Sequence, residues 1–579
     1  MAVLGVHDGH DNGAAVAESG TVLCAINEER FTKLKNDVGF PVNSIKYIVK
    51  AAGDSEIDKI AIARIDGAAI FTRLFPVLDV RRRKLFRHEI PKPSMINLHM
   101  SNMIFKLTQE QTPKWLWSRL GKGIGAYAMG ARLRKMRLGD KIVFVEHHLA
   151  HASSAYYSSG FNEALVITLD ASGDGICGSV SIGEKGELTR IKEFRAGASL
   201  GILYGAATVA CDMRFSEDEG KLMSLAAYSF PSEIKELKEF SRYDEAKMEL
   251  VSSSGIRYEF LLAEHMRNTI LWRYSREAFA YSVQRYVETQ VLKMVRQYIR
   301  ETGIHNVAVA GGLFSNIIIN MLINELPEVK KFFAFPHMGD GGLALGAAYY
   351  TDFKENGKFS ARQINDIYYG PGYSDSEVEA ALARHRKAKK IDYEEVDDIA
   401  SYTADRMIDE NEAVLWFQGR MEYGPRALGN RSVLAMPNAN ESRDRINLMI
   451  KRRPYYQPFA STILEEEAGR LLDPCVGKNR FMTVGYKVRE GRRADLIAAS
   501  HIDGTTRPQM LGEENRLFRD LIKKVRKKSG TGALLNTSLN KHGRPIAMSP
   551  EDAVWTLLNT GATSLSIGNF FVRKLARAK

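Results

Sequence analysis

Short apolar runs broken by glycine and aspartate open the chain. AVLGV (2–6), GAAVAE (13–18) and TVLCAIN (21–27) are too short for helices and stop at turn residues, which predicts strands. VNSIKYIVKAA (42–52) changes period. Its apolar positions recur every three to four residues, which predicts an amphipathic helix. DKIAIAR (58–64) returns to a strand. A similar order then recurs. KIVFVE (141–146) reads as a strand, HLAHASSAYY (148–157) as a helix, and ALVITLD (164–170) and GICGSVSI (175–182) as strands. Two copies of a strand-rich unit with covering helices predict a duplicated α/β domain.

Farther along, helical periodicity runs unbroken over about 260–302, and NVAVAGG (306–312) reads as a buried strand entering a glycine turn. The polar, turn-rich stretch NGKFSARQINDIYYGPGYSD (356–375) marks a domain boundary. The chain is therefore expected to divide into 1–360 and 361–579. The second part carries strands such as AVLWFQG (413–419) and GALLNTS (532–538).

Composition narrows the class. With 45% hydrophobic and 26% charged residues the 579-residue chain is globular, not disordered or collagenous. Four scattered cysteines (Cys24, Cys177, Cys211, Cys475) suit neither a disulfide framework nor a cysteine-rich zinc site. No apolar run is long enough to span a membrane, and MAVLGVHDGHDNG lacks the features of a secretory signal. A reducing cytoplasm is the expected compartment. The net charge of +12 is local: residues 81–141 hold 15 Lys or Arg against three acids, and the remainder balances at 66 of each. Such a segment is expected to face something anionic. Trp115 and Trp117 among its cations suit an interfacial membrane element, which would put the chain at the inner face of the membrane and favour a glycolipid as partner.

The chemistry-bearing residues fall into two groups. In EHHLAHASSAYY (146–157), His147 and His151 are spaced i, i+4, so a helix projects both imidazoles from one face. Taken alone, that pattern is met by two core histidines. Asp170 at a strand end and Asp340 in GDGG (339–342) add two carboxylates. Two imidazoles with two carboxylates suit a divalent metal of middle hardness: iron, manganese or zinc. The paired glycines of AGGLFSN (310–316) let backbone amides approach a phosphate. His10 and Asp11 lie in a turn, and Lys33 and Lys35 in a loop. In the second part, Arg426, Arg431, Lys451, Arg452, Arg453, Arg507 and Ser538 sit beside Gly, Pro or strand ends. Arginine forks and a hydroxyl are what a small phosphorylated anion needs.

Taken together, GHDNGAAV, EERFTKLKND, HHLAHASSAYY, GKLMSLAAY, GGLFSN, GDGGLALGAA, EYGPRALGNRS, IKRRPYYQPFA and LLNTSLN occur in the order found in the NodU/CmcH family of O-carbamoyltransferases, which the chain resembles over nearly its whole length. The resemblance implies an α/β protein with a duplicated ASKHA (actin/Hsp70-like) N-terminal domain and a YrdC-like α/β C-terminal domain. It implies use of carbamoyl phosphate and ATP, with Mg2+, to make carbamoyl adenylate. The carbamoyl group would pass to a carbohydrate or natural-product alcohol.

Carried over by residue, His147, His151, Asp170 and Asp340 would hold the metal, iron(II) first among the alternatives. Gly311, Gly312 and Asn316 would contact the nucleotide. Arg426, Lys451, Arg507 and Ser538 would bind carbamoyl phosphate. His10 and Asp11 would lie near the acceptor hydroxyl, with Lys35 close to the adenylate. One departure stands out. Where the family's basic stretch reads K-x-R-E-x-x-R-P-F-A, this chain has Pro454 and Gln457 in place of the Glu and the second Arg.

Threonylcarbamoyl transfer to tRNA uses the same two folds, and the basic segment would favour it. The GPRALGNRS/LLNTSLN combination resembles the O-carbamoyl branch instead, which argues against a nucleic-acid partner. Hydrogenase maturation is disfavoured by the missing zinc-binding cysteine pairs. A nucleotide-responsive binding module without transfer activity is the remaining alternative, against which the full set of metal ligands argues. Small-molecule substrates are the expected partners, and a homodimer is left open.

Overall fold

The computed structural model describes residues 1–575 except 54–55, 66–72, 112–113, 140 and 358–361; the side chains of 79, 111 and 114–121 also lie outside the description. The expectation built on Trp115 and Trp117 therefore falls outside the described residues. Two compact units form. One comprises Met1–Glu28 with Asn36–Ile364, and the other Glu29–Lys35 with Asn365–Lys579.

In the first unit, β1 (Ala2–His7), β2 (Gly13–Glu18) and β3 (Thr21–Asn27) form an antiparallel meander. Its tight turn uses Ser19 and Gly20, both at positive φ. β4 (Ile57–Ala63) lies parallel to β1, and β5 (Ile142–Val145) parallel to β4, giving the order β3-β2-β1-β4-β5. The second half repeats this plan. β6 (Glu163–Gly173), β7 (Ile176–Glu184) and β8 (Glu187–Arg195) form a meander. After the small hairpin of β9 (Arg242–Asp244) and β10 (Glu249–Val251), β11 (Asn306–Ala310) lies parallel to β6 and β12 (Lys331–Ala334) parallel to β11. Each half thus has a three-strand meander followed by two parallel strands on the far side of its first strand. That is the duplicated ASKHA arrangement.

Two helices make the layer between these sheets. Leu343–Asn356 packs on β1, β2 and β4, and His147–Ser159 on β6 and β11, and the two helices pack against each other. Their approach is close: a Cβ on Gly346 would lie 1.9 Å from the Ala150 carbonyl oxygen, and one on Gly5 1.8 Å from that of Ala344. No other residue fits at these crossings.

The helical stretch expected over about 260–302 is divided. One helix covers Glu259–Thr269 and a second Arg276–Thr302, because Ser275 adopts an extended conformation and its side chain caps the second helix through the Ala278 N–H.

Asp8, next to the end of β1, holds Arg73 by two hydrogen bonds, Nε to Oδ2 at 2.7 Å and Nη2 to Oδ1 at 3.0 Å, with both side chains buried. Burial disfavours the carboxylate, but the Arg73 charge and hydrogen bonds outweigh it and keep Asp8 below its ordinary pKa. Asp8→Asn leaves a buried guanidinium without its counter-ion. It should lower the stability of the first unit by about 3–5 kcal/mol, read as a lower denaturant midpoint.

In the second unit, β13 (Ile391–Glu395), β14 (Val414–Phe417), β15 (Arg431–Ala435), β16 (Ala460–Leu464), β19 (Pro508–Leu511), β20 (Ala533–Ser538), β21 (Ser564–Ile567) and β22 (Phe570–Lys574) form one mixed sheet. Its order is β13-β22-β21-β14-β15-β20-β16-β19, and β17 (Tyr486–Lys487) pairs separately with β18 (Thr505–Thr506). Helices cover the sheet. On one face Phe518, Leu521, Ile522 and Val525 of Arg516–Ser529 enter a core with Trp416 and Phe571. Among the described residues, no helix is long and apolar enough to cross a membrane.

Candidate metal centre and anion site

The candidate ligands in the first unit come from the first turns of the His147–Ser159 helix, from β6 (Asp170) and from the turn after β12 (Asp340). Glu146 caps the His147–Ser159 helix, accepting the N–H groups of His148 and Leu149 at 3.1 and 2.8 Å. Asp174 accepts the His147 N–H at 2.8 Å. The first turns thereby aim His147 and His151 at one point. A bulge in β6 between Leu169 and Gly173 frees Asp170 from the ladder. Asp170 Oδ1 accepts the N–H groups of Ala171 at 2.7 Å and Gly312 at 3.3 Å, leaving Oδ2 for the histidines. Gly311, at φ 104°, is required there, since a Cβ would fall 2.2 Å from the Leu169 carbonyl oxygen. The paired glycines therefore hold a metal-site carboxylate.

His147 Nε2 lies 3.2 Å from Asp170 Oδ2 and 3.6 Å from Asp340 Oδ1; for His151 Nε2 the distances are 3.4 and 3.5 Å. All four ligand atoms fall within 4.8 Å of one another. Both ring nitrogens of His151 and Nδ1 of His147 are buried without hydrogen-bond partners among the described residues. Two half-buried carboxylates facing two buried, under-partnered imidazoles form a set that a divalent cation of middle hardness fits. Asp340 also faces a second pair, with His10 Nδ1 at 3.0 Å and His7 Nε2 at 3.9 Å.

Charge governs the titration here. Burial opposes protonation of His147, but Asp340 and Asp170 outweigh it and raise the imidazole to about 9. The same balance raises His10 to about 9, again through Asp340. Burial dominates at His7 and lowers it to about 3. Asp340 is held well below the carboxylate range: burial works against this, and His10 and His147 prevail. A cation must therefore displace the His147 proton. Metal affinity should rise about tenfold per pH unit from about pH 6 to 8, measured by titration with Mn2+ or Zn2+. Proton release on binding, read by calorimetry in buffers of different ionisation enthalpy, checks the same point.

One sequence-predicted residue is engaged within the protein, and another belongs to a different unit from the residues it is expected to work with. Asn316 caps the Ile317–Asn324 helix and exchanges hydrogen bonds with Gln284 at 2.8 and 3.2 Å, so its amide is committed within the protein. Lys35 ends the segment that groups with the second unit, whereas His10 and Asp11 belong to the first. His148 is no ligand, since it bonds Thr168 Oγ1 at 2.9 Å and the Ile176 carbonyl at 3.2 Å.

In the second unit, register brings the basic residues together. Ser538 at the end of β20 pairs with Ser432 near the start of β15; neighbouring Asn536 pairs with Ala460 at the start of β16, and Pro508 starts β19 beside Ser461. Arg426, Arg453 and Arg507, which precede those three strands, therefore converge at one end of the sheet. Glu422 shapes the loop that follows Arg426, its Oε1 accepting the N–H groups of Leu428, Asn430 and Arg431 at 2.8, 2.9 and 3.1 Å.

Among the described residues no carboxylate lies within 4 Å of Arg426, Arg453 or Arg507. Burial lowers Arg426 to about 10; burial and then Arg426 lower Arg453 to about 10. Burial, then Arg426 and Arg453, push Arg507 well down. Three mutually repelling guanidiniums without a counter-ion are a site for a multiply charged anion.

Lys451 differs. It is fully buried, and its ammonium donates to the carbonyls of Ser538 and Asn540 and to Asn540 Oδ1, which shapes the Ser538–Asn540 loop. Arg431 is likewise structural, stacked 3.6 Å from the Phe417 ring centroid and bonded to backbone carbonyls. Arg453, named among the basic candidates but outside the set implied by the resemblance, lies in the KRRP run two residues after Lys451. Gln457, where the resemblance leads one to expect arginine, buries an Oε1 that has no hydrogen-bond partner.

Comparison with known proteins now bears on this pair of sites. A sequence profile described as Carbamoyltransferase N-terminus matches residues 2–349, and one described as Carbamoyltransferase C-terminus matches 405–574. The chain belongs to the carbamoyltransferase family. The carbamoyltransferase is 30% identical to protein MJ1058 of Methanocaldococcus jannaschii over 98% of both chains. It is 32% identical to nodulation protein NolNO of Sinorhizobium fredii over 98% of its own length and 79% of that protein's. Identity to nodulation protein NolO of Bradyrhizobium diazoefficiens is 34% over 74% of this chain and 79% of that one. Both profiles cover site residues: the first spans the four metal-site residues, and the second spans Arg426, Arg453, Arg507 and Ser538.

Proposed function

We propose that this carbamoyltransferase is an ATP-dependent O-carbamoyltransferase. In this reading the second unit, with Mg2+, makes carbamoyl adenylate from carbamoyl phosphate and ATP. The first unit passes the carbamoyl group to a hydroxyl of a sugar, glycolipid or natural product. The observation that carries the reading is the uncompensated Arg426–Arg453–Arg507 trio beside Ser538, which fits phosphate and pyrophosphate oxygens.

The bonds balance as follows. Carbamoyl phosphate and water give carbamate and phosphate. A carbamate oxygen then bonds to the α-phosphorus of ATP, the bridging bond to the β-phosphate breaks, and pyrophosphate leaves with the electron pair. The guanidiniums offset the charge that develops on the transferring groups. In the second reaction the acceptor oxygen bonds to the carbamoyl carbon, the bond to AMP breaks, and AMP leaves with its electrons.

His10 is positioned to receive the acceptor proton, with Nδ1 facing Asp340 and the other ring nitrogen left for it. The cation that His147, His151, Asp170 and Asp340 would hold supplies Lewis acidity and offsets the Asp340 charge that keeps His10 protonated.

The test is incubation with ATP, carbamoyl phosphate and a divalent metal, without acceptor, followed by mass spectrometry. Carbamoyl adenylate and pyrophosphate are expected. Neither product, from protein shown to bind nucleotide, would leave a binding module as the better reading.

A further inference from the structure

The basic segment presents an apolar stripe to solvent. In Met95–Phe105 and the turn after it, Ile96, Met100, Met103, Ile104 and Leu107 recur at i, i+4, i+7, i+8 and i+11, the spacing of one helical face. In a globular protein that face is normally turned inward. Here these five side chains are 46–74% exposed, while Leu98 and Asn102 on the opposite side are buried. Asn102 ties the helix to the body, donating to the Gly255 carbonyl and accepting the N–H groups of Arg257 and Tyr258. The outward orientation is therefore fixed by hydrogen bonds.

The neighbouring helix, Val77–Phe86, has the same character. Val77 and Leu78 are exposed, and Phe86 stacks 5.6 Å from Phe260, next to the Tyr258 where the first helix is tied. Arg81 and Lys84 are exposed on it, and among the described residues neither has a carboxylate within 4 Å.

We propose that residues 74–107 form an interfacial docking surface for an anionic lipid bilayer. Aliphatic side chains beside unpaired cations complement acyl chains beneath anionic headgroups. A second copy of the chain would oppose like charges on this strongly basic segment, and nucleic acid offers no partner for the Ile and Met stripe. The location has a functional sense. Arg73 binds Asp8, one residue after His7, and Gln109 Oε1 accepts the Gly175 N–H at 3.0 Å, five residues after Asp170. The segment is thus anchored to both loops of the metal centre. If the transferase reading holds, the acceptor is a lipid-linked hydroxyl compound; the docking itself does not depend on that reading.

The test is co-sedimentation of the full chain with phosphatidylcholine vesicles and with mixed phosphatidylcholine–phosphatidylglycerol vesicles, at low and high salt. Binding to the mixed vesicles, weakened by salt, is expected. The double variant Ile96→Asn/Ile104→Asn should reduce binding about a hundredfold or more, at about one to two powers of ten per large apolar side chain withdrawn from the interface. Arg81→Glu/Lys84→Glu should reduce it about fivefold or more per charge. Circular dichroism spectra and unfolding midpoints of both variants that match the wild type's would show that they fold. No sedimentation with mixed vesicles at low salt would overturn the proposal, as would binding indifferent to both variants. A dimer abolished by Ile96→Asn/Ile104→Asn, without vesicle binding, would also overturn it and make a second copy the occupant.

Discussion

Arg426→Ala should lower pyrophosphate release from ATP and carbamoyl phosphate by about 10²–10³-fold, the usual consequence of removing one preorganised donor from a developing anion. Arg426→Lys should recover only part of this, because a point charge does not replace the planar fork. A second readout runs in the opposite direction. Arg453 and Arg507 are both held down by repulsion from Arg426, after burial itself. Removing Arg426 relieves that repulsion in the free protein, so the variant's melting temperature without anions should equal or exceed the wild type's. Added phosphate or carbamoyl phosphate should then stabilise the wild type more than the variant, since ligand stabilisation follows RT ln(1 + [L]/Kd). Loss of activity with lower intrinsic stability and an unchanged anion effect would place Arg426 in the scaffold instead.

Why only part of this arrangement is legible in sequence follows from how each residue reaches its site. His147 and His151 are legible because helical spacing alone puts them on one face. Asp170 can be named as a carboxylate at a strand end and Asp340 as one before an apolar run, but their meeting depends on the parallel alignment of β6, β11 and β12, with more than a hundred residues between β6 and β11. The strands of the first unit are readable from their apolar runs, and the duplication from their recurring order.

The convergence of Arg453 with Arg426 and Arg507 is set by register between β15, β20, β16 and β19, which no local pattern encodes. The same holds for Lys451. A lysine in a basic run looks like a ligand for phosphate, yet backbone carbonyls of the Ser538–Asn540 loop surround its ammonium. Asn316 illustrates the converse, because the strand-to-helix turn that suggests a nucleotide contact also calls for an N-cap. The break before Arg276 escapes periodicity because apolar spacing continues across it, and only the cap at Ser275 marks it.

Asp340→Asn should separate the two half-reactions. Asp340 presents Oδ1 to His147 and His151 at 3.6 and 3.5 Å and Oδ2 to His10 at 3.0 Å, so one carboxylate faces both the candidate metal ligands and the histidine proposed to accept the proton. A carboxamide keeps the shape but removes the charge and replaces one acceptor oxygen with a donor. Metal retention should fall by about two powers of ten or more. Carbamoyl transfer to an acceptor should fall by about 10³-fold, corresponding to a loss of several kcal/mol of transition-state stabilisation. His10, released from the Asp340 charge that outweighs burial and raises it to about 9, should titrate at a clearly lower pH, which NMR of the imidazole protons can follow. Acceptor-independent pyrophosphate release should persist, because the guanidinium trio is untouched. Loss of both half-reactions together, with metal still bound, would mean that Asp340 acts on activation rather than on transfer.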